Sequence, residues 1–341
     1  MAVKVIDLHC DSVTALMEGK DLRQSVDGIH VDVPRLQKGG VGLQVFAAYV
    51  PPETPAGSAF AYAAKMLDAI DTFARSDPRL APVETAAQAR AVMAEGKTGI
   101  MAAVENGLAI EGSLKNLEAL RRRNVRIMTL VHSEHMDWIA SCTGTVPSGS
   151  DFSPGGDGRG LSSFGDQVVD AMNDLGIIPD VSHSSISAFW DIIRRSKKPI
   201  VASHSCAYAF CDAARNLADD QIKAMGEYGG LIGVNFASSF LSQEFRSLYV
   251  KGKREDAVNI PVRVPMSIIA DHIDYMLNIA GEDCIALGSD FDGIPASPEG
   301  VTGSDFYPVL EAELKSRGYT EKRIEKIFNG NFLRLLEAWD R

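Results

Sequence analysis

Eight short runs rich in Val and Ile recur along the chain, at 3–11, 42–50, 98–105, 126–132, 177–183, 199–204, 231–236 and 284–290. Most carry consecutive rather than alternating apolar residues, as strands buried on both faces do. The segments between them show helical periodicity: in 164–175, Phe164, Val168, Ala171, Met172 and Leu175 share one face. Further helices are expected over 59–75, 86–95, 114–123, 188–195, 219–228, 266–280, 307–317 and 321–338. Eight strands alternating with helices predict a (β/α)₈ TIM barrel, and no domain boundary is evident within 1–341. A doubly wound open sheet satisfies the same strand count. Two stretches, 141–160 and 237–265, read as loops following strands, which puts them over the barrel face where active sites lie.

Composition narrows the class. Lys+Arg 34 against Asp+Glu 45 leaves a formal charge of −11, which argues against a nucleic-acid partner. The longest apolar run, 229–241, is too short to span a bilayer and contains Asn235, so no membrane partner is expected. Asp7 interrupts the amino-terminal stretch where a secretory signal would still be apolar. Five cysteines, an odd number without a CxxC pair, suit reduced thiols and a cytoplasmic location.

The chemistry is in the strand ends. The first run ends Asp7-Leu-His9-Cys-Asp11 and the third ends on Glu105, the fourth on His132 and the fifth on His183. The sixth ends on His204 and the eighth on Asp290. A barrel brings these ends to one mouth, where so many buried ionisable groups would be very unfavourable without a cation. His9 and Asp11, two apart on a strand, point to one side and can reach one ion. Imidazoles with carboxylates suit Zn²⁺ or a similar ion, and their number exceeds one tetrahedral site. Two metals with Glu105 between them account for the excess. Taken singly, each histidine reads instead as a hydrogen-bonded structural residue, and Glu105 as one half of a salt bridge. His30, His135 and His272 lie away from strand ends and read as surface or loop residues. Cys10 and Cys206 read as small neutral filler, and no Gly-x-Ser-x-Gly elbow exists for a serine hydrolase.

The motifs Asp7-Leu-His-Cys-Asp11, Val104-Glu-Asn-Gly107, His132-Ser133, Gly160-Leu-Ser-Ser-Phe-Gly165, Val181-Ser-His183, Ser203-His-Ser-Cys-Ala-Tyr208, Arg215-Asn216 and Gly288-Ser-Asp-Phe-Asp-Gly293 carry a resemblance. In this order, over nearly the whole chain, the sequence resembles the membrane (renal) dipeptidase family of the amidohydrolase-type barrels. The resemblance implies two Zn²⁺ per chain, bridged by Glu105 and a hydroxide. His9 and Asp11 would hold one and His183 and His204 the other. It further implies that His132 contacts the substrate near the scissile group, and that Arg215, with Asn216 beside it, binds the substrate carboxylate. Asp290 would move the proton from the attacking hydroxide to the leaving amine. The activity implied is hydrolysis of dipeptides with a free C-terminal carboxylate, a D-residue being tolerated there, by a metallo-dipeptidase that is a homodimer in many members. Rival readings are a related hydrolase of another amide or a lactone, and a binding protein that kept the metals but lost turnover. Cys10 stands where the family often has Asn, and Asn106 where Gly is common. The stretch after His132, Ser-Glu-His-Met-Asp-Trp138, also departs from the animal members. No lipid-anchor tail follows Glu337-Ala-Trp-Asp-Arg341, so a soluble protein is expected.

Overall fold

The computed structural model describes residues 3–143, 159–252 and 254–340. All eight expected runs form parallel strands, and a ninth, short strand joins them. In chain order they are β1 (Val5–Cys10), β2 (Val41–Tyr49), β3 (Leu80–Pro82), β4 (Thr98–Glu105) and β5 (Ile127–Thr129). The remainder are β6 (Ile178–Asp180), β7 (Val201–Ser205), β8 (Leu231–Val234) and β9 (Ile285–Leu287). β1 pairs with both β2 and β9, so the sheet closes into an eight-stranded barrel and the open-sheet alternative falls away. β3 lies outside this ring. It pairs with the first residues of β4, while β5 pairs with the last ones (Ala103↔Ile127, Glu105↔Thr129).

Alternation along the strands sorts the side chains into two clusters. Ile6, Leu43, Val45, Met101, Ala103 and Ile178 pack with Phe332, Leu336 and Trp339 of the helix Asn331–Trp339, which floors the barrel interior. Phe46, Ala48, Val104 and Ile232 face the other way, into the surrounding helices; Phe46 packs at a tilt against Phe73 of Ala59–Arg75 with ring centroids 5.5 Å apart. The strand-end residues continue the first set, at the opposite, carboxyl end.

Most expected helices are present. The region expected as one helix over 321–338 contains a π-helical turn, Lys326–Gly330, between Glu321–Glu325 and Asn331–Trp339. The stretch 237–265, expected as a loop, carries the short helices Ser238–Leu241 and Gln243–Tyr249. The second is started by the Ser242 hydroxyl accepting the Phe245 N–H at 3.3 Å. Most of the other expected loop, 144–158, lies outside the described residues. Among those residues no helix is long and apolar enough to cross a membrane.

His272 corrects an expectation. It sits in the helix Ser267–Ala280, fully buried on the face of Ile269, Ile273 and Met276. Its Nδ1 accepts the Ala207 N–H at 3.1 Å and its Nε2 donates to the Leu241 carbonyl at 3.0 Å. It thus ties the loop after β7 to the short helix after β8. Burial pushes its pKa down to about 4, so it is neutral in the fold. The unfolded chain takes up this proton near pH 6.5 and the folded chain only near 4, so stability is lost as pH falls through that window. Wild-type protein should therefore lose about 3 kcal/mol more unfolding free energy between pH 6.5 and 4 than His272→Gln does. Parallel denaturation curves for the two proteins across that range would contradict this.

Candidate metal centre

Seven titratable side chains converge at the carboxyl end of the barrel, with Glu105, the last residue of β4, in the middle. Its Oε2 lies 3.6 Å from His9 Nε2, and His9 Nε2 lies 3.5 Å from Asp11 Oδ2. Its Oε1 lies 3.1 Å from His183 Nε2, 3.5 Å from His204 Nε2 and 4.0 Å from His132 Nε2. The nitrogens of His183 and His204 are themselves 3.1 Å apart. Three overlapping groups have donor atoms mutually within 4.8 Å: His9, Asp11 and Glu105; Glu105, His132 and His183; and His9, His204 and Asp290. His132, expected as a substrate contact, therefore also stands within reach of the second group.

Local backbone irregularities aim these residues. The β1–β2 register slips between Asp7 and Cys10, and the β7–β8 register slips between Ala202 and Ser205. Each slip is a bulge that turns a ligand-type histidine, His9 or His204, towards the mouth without disturbing the apolar residues before it. His183 (φ +69°) and Asp290 (φ +63°) are in the left-handed region, and so is Asn106 (φ +86°), directly after Glu105. This conformation is unfavourable for most side chains, and residues held in it cluster at functional sites. Asn106 occupies a positive-φ conformation where glycine is most at ease. Its amide also donates to the Val50 carbonyl at 2.9 Å. At Gly293, a methyl group would lie 2.0 Å from Asp11 Oδ2 and 2.6 Å from Asp290 Oδ1, so only glycine leaves these carboxylates in place.

The electrostatics call for positive charge. Burial and the neighbouring Asp11 and Glu105, against the pull of His9, push Asp290 up to about 8. Burial opposes charge on His9, yet Glu105 and Asp11 raise it well above the ordinary imidazole value. Burial likewise opposes charge on Glu105, but His9, His183 and His132 hold it well below the usual carboxylate range. Burial, with Arg215, keeps His183 neutral; burial, with His9 and Arg215, does the same for His204. His9 Nε2 and Asp11 Oδ1 are buried without a hydrogen-bond partner. Neutral imidazoles and ionised carboxylates with free lone pairs are the donor set of a divalent first-row ion. Adjacent ligands on a tetrahedral Zn²⁺ lie about 3.3 Å apart, given bonds near 2.0–2.1 Å. The 3.1–3.6 Å separations around Glu105 match that spacing.

The cluster opens into a cleft of about 740 Å³ lined by Asp11, Tyr49, Glu105, His132, Arg215 and Asp290, among others. Arg215 is anchored by one bond, from Nη2 to the His204 carbonyl at 3.0 Å, and its guanidinium lies over the Phe240 ring. Asn216 is turned to the backbone instead: its amide donates to the carbonyls of Cys211 (2.9 Å) and Phe240 (2.8 Å). Two site residues escaped the sequence reading. Tyr49 ends β2 and packs on His132 with ring centroids 4.6 Å apart. Asn235 follows β8 and donates to Asp290 Oδ2 at 2.8 Å. Extending the strand-end rule from ionisable to all polar residues finds both, and all eight barrel strands then serve the site.

Known proteins share this fold. A metallopeptidase from Rhodobacter sphaeroides, solved with a phosphinate mimic of the dipeptide L-Ala-D-Ala, superposes with a TM-score of 0.87 at 27% identity, covering 100% of both chains. A second solved metallopeptidase, the dipeptidase AC, gives a TM-score of 0.86 at 29% identity over 99% of each chain. Dipeptidase 3 of Mus musculus is 30% identical over 94% of this chain, which spans 59% of that relative's length. The membrane dipeptidase description matches residues 1–341, and the chain accordingly belongs to the membrane dipeptidase family, peptidase family M19.

Proposed function

We propose that this chain is a dipeptidase that works with two Zn²⁺ ions, one held by His9 and Asp11, the other by His183 and His204, with Glu105 between them. The observation that carries this reading is the division of Glu105: one oxygen faces His9, the other faces His183 and His204. Bound there, such ions polarise an amide carbonyl and bring a water's pKa from 15.7 towards about 7.

The protein's own groups do the rest. Arg215 presents a guanidinium to the cleft, suited to a substrate carboxylate, which it would hold in two-pronged geometry. His132 lies beside Glu105 at the cleft wall; burial lowers its pKa, so it meets the substrate as a neutral imidazole able to donate one hydrogen bond. Asp290, buried beside Asp11 and Glu105, is placed to take a proton from the nucleophile and pass it to the leaving amine. Asn235 holds the Oδ2 of Asp290 and leaves Oδ1 for that transfer. The dipeptide mimic bound by the Rhodobacter relative supports dipeptides as substrates, and its D-Ala supports tolerance of a D-residue at the carboxyl end. Five buried free thiols are consistent with the cytoplasmic reading.

Asp290→Asn should retain its metal content while kcat falls about 10²–10⁴-fold, the usual span for a lost general acid–base. Turnover at the wild-type rate would remove Asp290 from the proton path. Arg215→Met should lower kcat/KM for free dipeptides about 10–100-fold, mainly through KM, the range of a charge-assisted hydrogen bond. Dipeptides amidated at the C-terminus should be poor substrates for both proteins. Equal turnover of free and amidated substrates by the wild type would point to an amide or lactone hydrolase instead.

A further inference from the structure

One buried carboxylate outside the proposed ligand set touches the site through another residue. Asp180, the last residue of β6, is fully buried, and each of its oxygens accepts two hydrogen bonds. Oδ1 receives the backbone N–H groups of Ser182 and Ser203, both at 2.9 Å. Oδ2 receives the hydroxyls of Thr129 and Ser203, both at 2.5 Å. The Ser203 oxygen lies in turn 2.7 Å from His204 Nδ1.

The proton positions follow from these contacts. An ionised carboxylate only accepts, so the Ser203 hydroxyl proton points at Asp180. Its lone pairs are then left to receive protons, and the nearest group facing them is His204 Nδ1 at 2.7 Å, with the Ser182 hydroxyl farther off at 3.4 Å. A neutral imidazole carries one N–H. With that proton on Nδ1, the His204 Nε2 lone pair is bare where it faces His183 Nε2 and Glu105 Oε1. We propose that Asp180 and Ser203 are positioning residues that lock His204 in its metal-binding tautomer and orientation. This inference rests on the two-metal reading of the site and adds to it the device that prepares one of the ligands.

The fold contains its own control. On β1, Asp7 accepts the Ser289 hydroxyl at 2.6 Å, and Ser289 precedes Asp290 as Ser203 precedes His204. The other contacts of the Ser289 hydroxyl, however, are backbone groups: the Phe291 N–H at 3.2 Å and the His9 carbonyl at 3.3 Å. Both pairs lock strand ends together, and only the Asp180 pair continues to an imidazole.

Calorimetric titration of the full chain with Co²⁺, alongside thermal unfolding, separates the two roles. Wild type should bind two Co²⁺. Ser203→Ala should weaken one of them about 10–100-fold, as loss of an outer hydrogen-bond partner does. Ser203→Thr, which keeps the hydroxyl, should restore it. Ser289→Ala should lower the unfolding temperature and leave both Co²⁺ affinities unchanged. Ser203→Cys, with a poorer donor of similar size, should show the same weakening if the alanine variant does not fold. Two wild-type affinities in Ser203→Ala, or equal weakening in Ser203→Ala and Ser289→Ala, would overturn the relay alone. Wild type that takes up no Co²⁺ would overturn the two-metal reading, and the relay with it.

Discussion

Gathering Asp11, Glu105, Asp290 and four imidazoles at the mouth is the constraint around which this barrel is built. Isolated buried charges are too unfavourable to keep, so the cluster must be balanced by protons, by cations or by both. Among the side chains alone, protons do part of this: His9 is drawn towards its charged form and Asp290 towards its neutral one. His183 and His204 are held in their neutral form, and their Nε2 atoms face the same carboxylate oxygen. A cluster that keeps two imidazoles neutral beside a carboxylate is prepared for metal rather than for an internal salt bridge.

The barrel delivers these groups by local departures from regular strand geometry. The bulges near His9 and His204 and the left-handed backbones of His183 and Asp290 all fall within three residues of strand ends. Where the ladder is sparse, buried carboxylates reinforce it. β1 meets β9 through the single register pair Asp7↔Leu287, and β6 meets β7 through Asp180↔Val201. At both seams the aspartate of that pair accepts bonds from the facing strand's serine. The two seams where ladder pairing is thinnest are thus cross-linked by side chains, directly beneath the ligands they support.

Much of this was legible in the sequence because the two signals are large. Consecutive apolar residues at 98–105 or 284–290 announce strands covered on both faces, and a charged residue closing such a run has few structural explanations. What escaped had smaller signals. β3 is three residues long and pairs beside β4 outside the ring, too short for a hydrophobic pattern. Tyr49 and Asn235 carry no charge at neutral pH, so strand ends marked by His, Asp or Glu do not point to them. His272 reads as a polar residue in a helix, yet its spacing from Ile269 and Met276 puts it on the buried face. No sequence pattern reveals that Asn216 faces backbone carbonyls while Arg215 lines the cleft, because both depend on how one loop folds back on Cys211 and Phe240.

The position of Glu105 between two sets of donors is the claim on which the functional account stands. Its most direct measurement is the zinc content of purified protein, dialysed against zinc without chelator and assayed by elemental analysis. Two zinc ions per chain, falling in Glu105→Ala, is the result this account predicts. Saturation at one ion, with Glu105→Ala unchanged, would contradict it.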